Sequence, residues 1–312
     1  MKNRKSRWTK DDTELTFLCF PTLVWYFLFS YLPMFGIVIA FKNYRVSPGH
    51  GFIYSLFHSK TVWFDNFKFF ITSPDFPILL RNTFLYNSAF IVLGIIIPVA
   101  LAIILTNIHS GFKSKCYQTL MFFPHFMSWV VVSYFVYAFL SPDKGFLNMV
   151  LAASGKQTIN WYADARYWPV ILIFMNLWKT TGYTMVVYLA AITGVDGTMY
   201  EAAVIDGATK WQQTKRITIP SILPIIIMMF LLNVGKIFYS DFGLFYQITQ
   251  RVPQPLYGVA STFDTYIYNA IQSGIPLGLN AAATFFQSIA CYITVMLANA
   301  VVKRIDPDSA II

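Results

Sequence analysis

The sequence predicts an all-α, polytopic membrane protein with six transmembrane helices and a short cytoplasmic helix between the fourth and fifth. Three observations predict this. Of 312 residues, 56% are hydrophobic and only 12% charged, far from the balance of a soluble globular domain. Six apolar runs are long enough for a hydrocarbon core of about 30 Å, which takes roughly 20 helical residues. The cations are denser in the short segments on one side, about 12 against about 9 spread over roughly twice the length on the other, so the net charge of +9 fits cytoplasmic loops better than nucleic-acid binding.

A basic arm, 1–14, with Lys2, Arg4, Lys5, Arg7 and Lys10, precedes the first span, Leu15–Phe41. That span is too long for a signal-peptide core and has no small-residue cleavage site. An extracellular loop, 42–79, follows and is aromatic, with Trp63, Phe64, Phe67, Phe69 and Phe70. The core, 80–305, carries the remaining spans: Phe84–Ile108, Tyr117–Leu140, Trp168–Ile192, Ile219–Phe242 and Ala281–Val302. The loop "HSGFKSKC" has Lys113 and Lys115 and no acid, so it lies inside with the arm. The fourth loop and the tail, 306–312, then lie inside too, and both termini are cytoplasmic. Lys42 and Arg45, near the membrane on the outer side, are the features against this orientation.

Pro21, Pro33, Pro98, Pro124, Pro224 and Gly182 fall inside the runs. They read as kinks rather than boundaries, because neighbouring helices can satisfy the backbone groups that proline frees. Trp161, Tyr162, Tyr167 and Trp168 flank the fourth span. The outer aromatics suit either an interfacial belt or an external cap on which a partner docks. Cys19, Cys116 and Cys291 are scattered and read as packing residues, with neither a disulfide framework nor metal-ligand spacing. No repeat or linker divides the chain, which reads as one membrane domain, 1–312.

The longest polar interruption in the second half, "YEAAVIDGATKWQQTKRITIP" at Tyr200–Pro220, overlaps the fourth loop, 196–216. Thr198 and Glu201 have capping-box spacing, so a short helix is expected to start there. Gly207 stands where a left-handed residue would end it, and a second helix runs on towards Ile217 and Pro220. One reading is a solvated connection. The small residues Ala202, Ala203, Gly207 and Ala208, with Trp211 as a large anchor, favour a surface that another protein approaches closely.

The order Glu201-Ala202-Ala203, Gly207, Ile217, Ile219, Pro220 resembles the EAA loop of ABC importer permeases. The one departure is Ile219, where that family usually has Leu. "LRNTFLYN" at 80–87, "LWKTTGYTMVVYLAAITGVD" before the loop and "NVGKIFYSDFGLFYQIT" after it extend the resemblance over most of the chain, towards the polysaccharide and maltose-type first permeases of carbohydrate importers. The resemblance implies a second homologous permease, two ATPase subunits, an extracellular solute-binding protein and an oligosaccharide substrate, in a bacterial inner membrane. It also implies that Glu201, Ala202, Ala203, Asp206, Gly207, Ala208 and Trp211 form the element that the ATPase moves.

No cofactor is expected on this chain; ATP and Mg would sit on the partner ATPase. "SGKQT", 154–158, lacks the earlier glycine of a phosphate-binding loop, since Val150 stands there. His50, His58, His109 and His125 lie apart, which leaves no catalytic constellation. Polar residues in spans point to a substrate path: Asn176, Trp178, Lys179 and Tyr183 on the fourth, Asn233, Lys236, Tyr239 and Asp241 on the fifth, Asn280 and Gln287 on the sixth. The alternative is that Lys179 and Lys236 snorkel or pair with helix carbonyls or Asp241, while Asn233 joins helices. A self-contained secondary transporter or channel is the competing function, and Asp241 is its only candidate for ion coupling.

Overall fold

The computed structural model describes residues 10–108 and 110–305. The arm positions Lys2, Arg4, Lys5 and Arg7, His109 and the tail 306–312 lie outside them. Helix α1, Lys10–Phe41, is followed by the short helices α2, Phe52–His58, and α3, Asp65–Thr72. The two-residue strands β1, Lys42–Asn43, and β2, Lys60–Thr61, pair antiparallel with Lys42 opposite Thr61. Next come α4, Asp75–Thr106; α5, Gly111–Phe122; α6, Trp129–Leu140; α7, Phe146–Ala153; and α8, Trp168–Thr193. The last four are α9, Gly197–Ile205; α10, Lys210–Val234; α11, Phe263–Gln272; and α12, Leu277–Ile305.

Among the described residues five helices are long and apolar enough to cross a membrane, and a bent pair, counted as one span, brings the number to six. That pair corrects the expected third span. Gly111–Phe126 and Trp129–Leu140 meet at 98°, so Pro124 sits at a break and not at a kink. The proline cannot donate to the preceding turn, the chain tightens into a 3₁₀ turn over Phe123–Phe126, and Ser128 caps α6 anew by accepting from the Val131 amide. Pro21, Pro98 and Pro224 stay inside continuous helices. The fifth span ends earlier than expected, at Val234 instead of Phe242, with an irregular segment before a π-helical turn at Gly243–Ile248.

Contacts group the described residues into two units, one up to Ile71 with Gly274–Phe285, the other Thr72–Ser273 with Phe286 onward. In the first, Phe41, Phe67 and Phe285 form a ring cluster with centroids 5.2–5.9 Å apart. Asn66 donates to the Ala40 and Lys42 carbonyls, closing the hairpin. The Lys42 ammonium donates to the Leu56 carbonyl at 2.7 Å, so this cation is tied to the end of α2. Apolar side chains of α1 are exposed from Leu15 to Val38, as suits a helix solvated by hydrocarbon.

In the second unit α4 and α8 share the most extensive helix contact. One core gathers Tyr86, Val132, Leu172, Leu244, Phe245 and Ile248 around Trp168; a second joins Ala102, Leu105, Met185, Tyr188, Ile192 and Ile222. Gly182 of α8 meets the backbone of α5 at Met121–Phe122, where a Cβ would overlap the Met121 carbonyl. The aromatics before α8 are no simple belt. Trp168 is fully buried, its indole donates to the Trp161 carbonyl, and Trp161 donates to Asn148. Of the three cysteines, Cys291 is buried, while Cys19 and Cys116 are exposed instead of packed.

Candidate functional site

Two features of the second unit are the candidates: the capped helix α9 and a polar cavity. The expected Thr198–Glu201 capping box is not what starts α9. Asp196 is the N-cap, accepting from the Thr198 amide at 2.9 Å, and that bond holds its carboxyl below the usual carboxylate range. Asp suits the position because its short carboxylate reaches the free amides of the first turn. Glu201 is left exposed, with no hydrogen bond or ion pair among the described residues. The capping box belongs to the next helix, where Thr209 and Gln212 satisfy each other's amides at the start of α10.

The end of α9 is as expected. Gly207 has φ +74°, its amide donates to the Val204 carbonyl, and the Ala208 amide donates to the Ala203 carbonyl at 2.8 Å. This paired pattern closes a helix around a left-handed residue that only glycine adopts without strain. Ala202, Ala203, Asp206, Gly207 and Ala208 line a hollow of about 410 Å³ with Gln212, Gln213 and Arg216 of α10. Beside it Ile205 is 85% and Trp211 71% exposed, an apolar display outside the predicted spans. The π-helical stretch Thr214–Thr218 carries α10 without a break into the fifth span.

The cavity, about 200 Å³, lies near the middle of α4 and α8, lined by Asn87, Phe90, Ile91, Gly94, Asn176, Thr180, Thr184, Asn233, Lys236, Tyr239 and Asp241. It brings together five residues named from the sequence, Asn176, Asn233, Lys236, Tyr239 and Asp241. Lys236, Tyr239 and Asp241 lie beyond the helix, which has ended at Val234. The irregular segment is held by side-chain amides instead. Asn87 donates to the carbonyls of Ile237 and Tyr239 at 2.8 and 2.9 Å, and Gln287 donates to that of Phe238 at 2.9 Å. The backbone acceptors freed by the break are thereby satisfied.

The other named residues sit elsewhere. Lys179 faces the broken third span and donates to the carbonyls of His125 and Met127 at 2.9 and 2.6 Å, with its ammonium 5.3 Å from the Trp129 ring centre. Tyr183 stacks on His125 at 4.8 Å. On α8 the cavity row is 176, 180, 184, four apart, and positions 179 and 183 fall on the adjoining row. Trp178 lines apolar hollows. Asn280 belongs to the first unit and donates to the Ile275 carbonyl. Gln287 positions the segment rather than lining the cavity. Sequence reasoning passed over Asn87, Thr184 and all of α4 as lining, although an Asn inside an apolar span is itself the signal.

Against this geometry, the family model for the binding-protein-dependent transport system inner membrane component matches residues 94–308. The chain belongs to this family. The permease is 34% identical over 302 residues to protein LplB of Bacillus subtilis (strain 168), covering 96% of this chain and 91% of that one. It is 32% identical to the polygalacturonan/rhamnogalacturonan transport system permease protein YteP of the same organism, over 93% and 88% of the two chains. Among solved structures it is similar to a chain of a bacterial ABC transporter that imports the acidic polysaccharide alginate: TM-score 0.83, 31% identity, 95% of this chain and 97% of that one. The permease is thus a multi-pass inner-membrane subunit of a binding-protein-dependent ABC importer, and ATP hydrolysis is not its own task.

Proposed function

We propose that the permease carries an oligosaccharide into the cell by alternating access, beside a second homologous permease and driven by two ATPase subunits that bind ATP and Mg²⁺. An extracellular binding protein delivers the glycan, and both termini face the cytoplasm. The observation that carries this reading is α9. It is nine residues long, capped at one end by the Asp196 carboxylate and closed at the other by backbone hydrogen bonds, and joined at Gly207 to a helix that enters the membrane unbroken. A short helix so constrained transmits displacement, whereas a flexible loop would absorb it. Its exposed Val204, Ile205 and Trp211 supply the apolar contact that a groove on an ATPase would bury.

The cavity supplies the other half. Amides, hydroxyls and a phenol around a small volume are suited to sugar hydroxyls, and relatives named for polygalacturonan/rhamnogalacturonan, lactose and diacetylchitobiose uptake handle glycans. At about 200 Å³ the cavity is smaller than the roughly 300 Å³ at which drug-sized sites begin, so it fits one end of a chain. The test is uptake of labelled oligosaccharide into vesicles containing the assembled importer. Uptake that requires internal ATP and persists when ion gradients are collapsed supports the reading; uptake abolished by collapsing the gradients, with ATP present, establishes the secondary transporter instead.

A further inference from the structure

We propose that the cavity recognises an acidic sugar, with a carboxylate of the transported glycan paired to Lys236 and adjoining hydroxyls bound by Asn176. The inference rests on the oligosaccharide reading above and narrows it. Among the described residues, Lys236 and Asp241 are the only acidic or basic side chains lining the cavity. Asp241 is already engaged at both oxygens: Oδ2 accepts from the Trp129 indole at 2.6 Å and Oδ1 from the Leu244 amide at 3.2 Å. The nearby Lys179 is taken up by carbonyls of the broken third span. Lys236, in contrast, makes no ion pair or side-chain hydrogen bond among the described residues.

A second polar group in the same cavity is equally unused. Asn176 is only 9% exposed, and its amide has no hydrogen-bond partner among the described residues, although its backbone carbonyl accepts from Thr180. A largely buried amide without a protein partner is uncommon in folded proteins, and Lys236, exposed just beyond the end of α10, leaves its ammonium open to the same cavity. One ligand that offers an anion beside hydroxyls satisfies both. Phosphate or sulfate would answer the charge alone, whereas a uronate places carboxylate and hydroxyls on one ring. The position of Lys236 reinforces this: it follows the end of α10 at Val234, on the segment that Asn87 and Gln287 immobilise, so the charge is presented on fixed backbone.

The experiment uses the assembled importer with its partner subunits and binding protein in proteoliposomes. ATP-dependent uptake of trigalacturonate and of its neutral counterpart galactotriose is measured for the native chain, Lys236→Gln and Lys236→Arg. Each rate is divided by the amount of assembled importer recovered, so that poor folding does not imitate loss of recognition. The native importer is expected to prefer trigalacturonate. Lys236→Gln should lower the acid-to-neutral ratio about tenfold, the scale of a close charge pair, and Lys236→Arg should retain the ratio. A ratio unchanged in Lys236→Gln, or native uptake favouring galactotriose, overturns the acidic assignment while the oligosaccharide reading stands. Uptake of neither probe overturns both.

Discussion

Asp196 and Gly207 bracket α9, and each makes a testable demand. The Asp196 carboxyl is depressed by the bond from the Thr198 amide, so its contribution to the helix is fully present above the unfolded carboxyl value of about 3.9 and is lost as pH falls through the lower folded value. Hydrogen-exchange protection of the first turn of α9 is therefore expected to be flat from neutral pH to about pH 5 and to fall below about pH 4; Asp196→Asn should abolish that acid dependence. Gly207→Val puts a β-branched residue at φ +74°, where a left-handed backbone costs about 1–2 kcal/mol, and is expected to fray the C-terminal turn in the same exchange measurement. At this scale the sequence was legible where chemistry is restrictive. The glycine could be placed because few residues accept its backbone, whereas three polar residues, Asp196, Thr198 and Thr209, could each have capped a helix, and local geometry chose Asp196 and Thr209.

The two broken elements decide how the cavity is built. α10 stops at Val234, and the following carbonyls are met by Asn87 and Gln287. Replacing Asn87 with Leu leaves two carbonyls without that amide, at about 1–3 kcal/mol each if they remain buried. Thermal unfolding of the purified importer in detergent should register this, and the same variant should raise exchange across residues 235–241 before other segments; unchanged exchange there would remove Asn87 from this role. Gly182→Leu tests the contact of α8 with α5, since overpacking costs typically 1–3 kcal/mol and here meets backbone, which cannot rotate away; a lower melting temperature is the expected result. Hydropathy counts apolar residues and does not report where a span turns. That is why the segments 117–140 and 219–242 could be located but their 98° break and early end could not. The row 176, 180, 184 was half visible, and separating it from Lys179 and Tyr183 required knowing that the broken span lies beside them.

For the whole molecule, the number of spans followed from the thickness of a hydrocarbon core, and the family from one loop whose spacing few sequences share. Substrate chemistry was less legible, because the residues that line the cavity come from three helices and an irregular segment distant in sequence, and their partners had to be seen before Asn176 and Lys236 emerged as the unused pair. The central claim is that α9 couples this chain to an ATPase. Glu201→Lys combined with Gly207→Val alters the charge and the stop of α9 without touching the cavity. In vesicles holding equal amounts of native and variant importer, ATP-dependent oligosaccharide uptake is the direct measurement. The account predicts that the variant chain is inserted normally and that its uptake is lost; uptake at the native rate would contradict it.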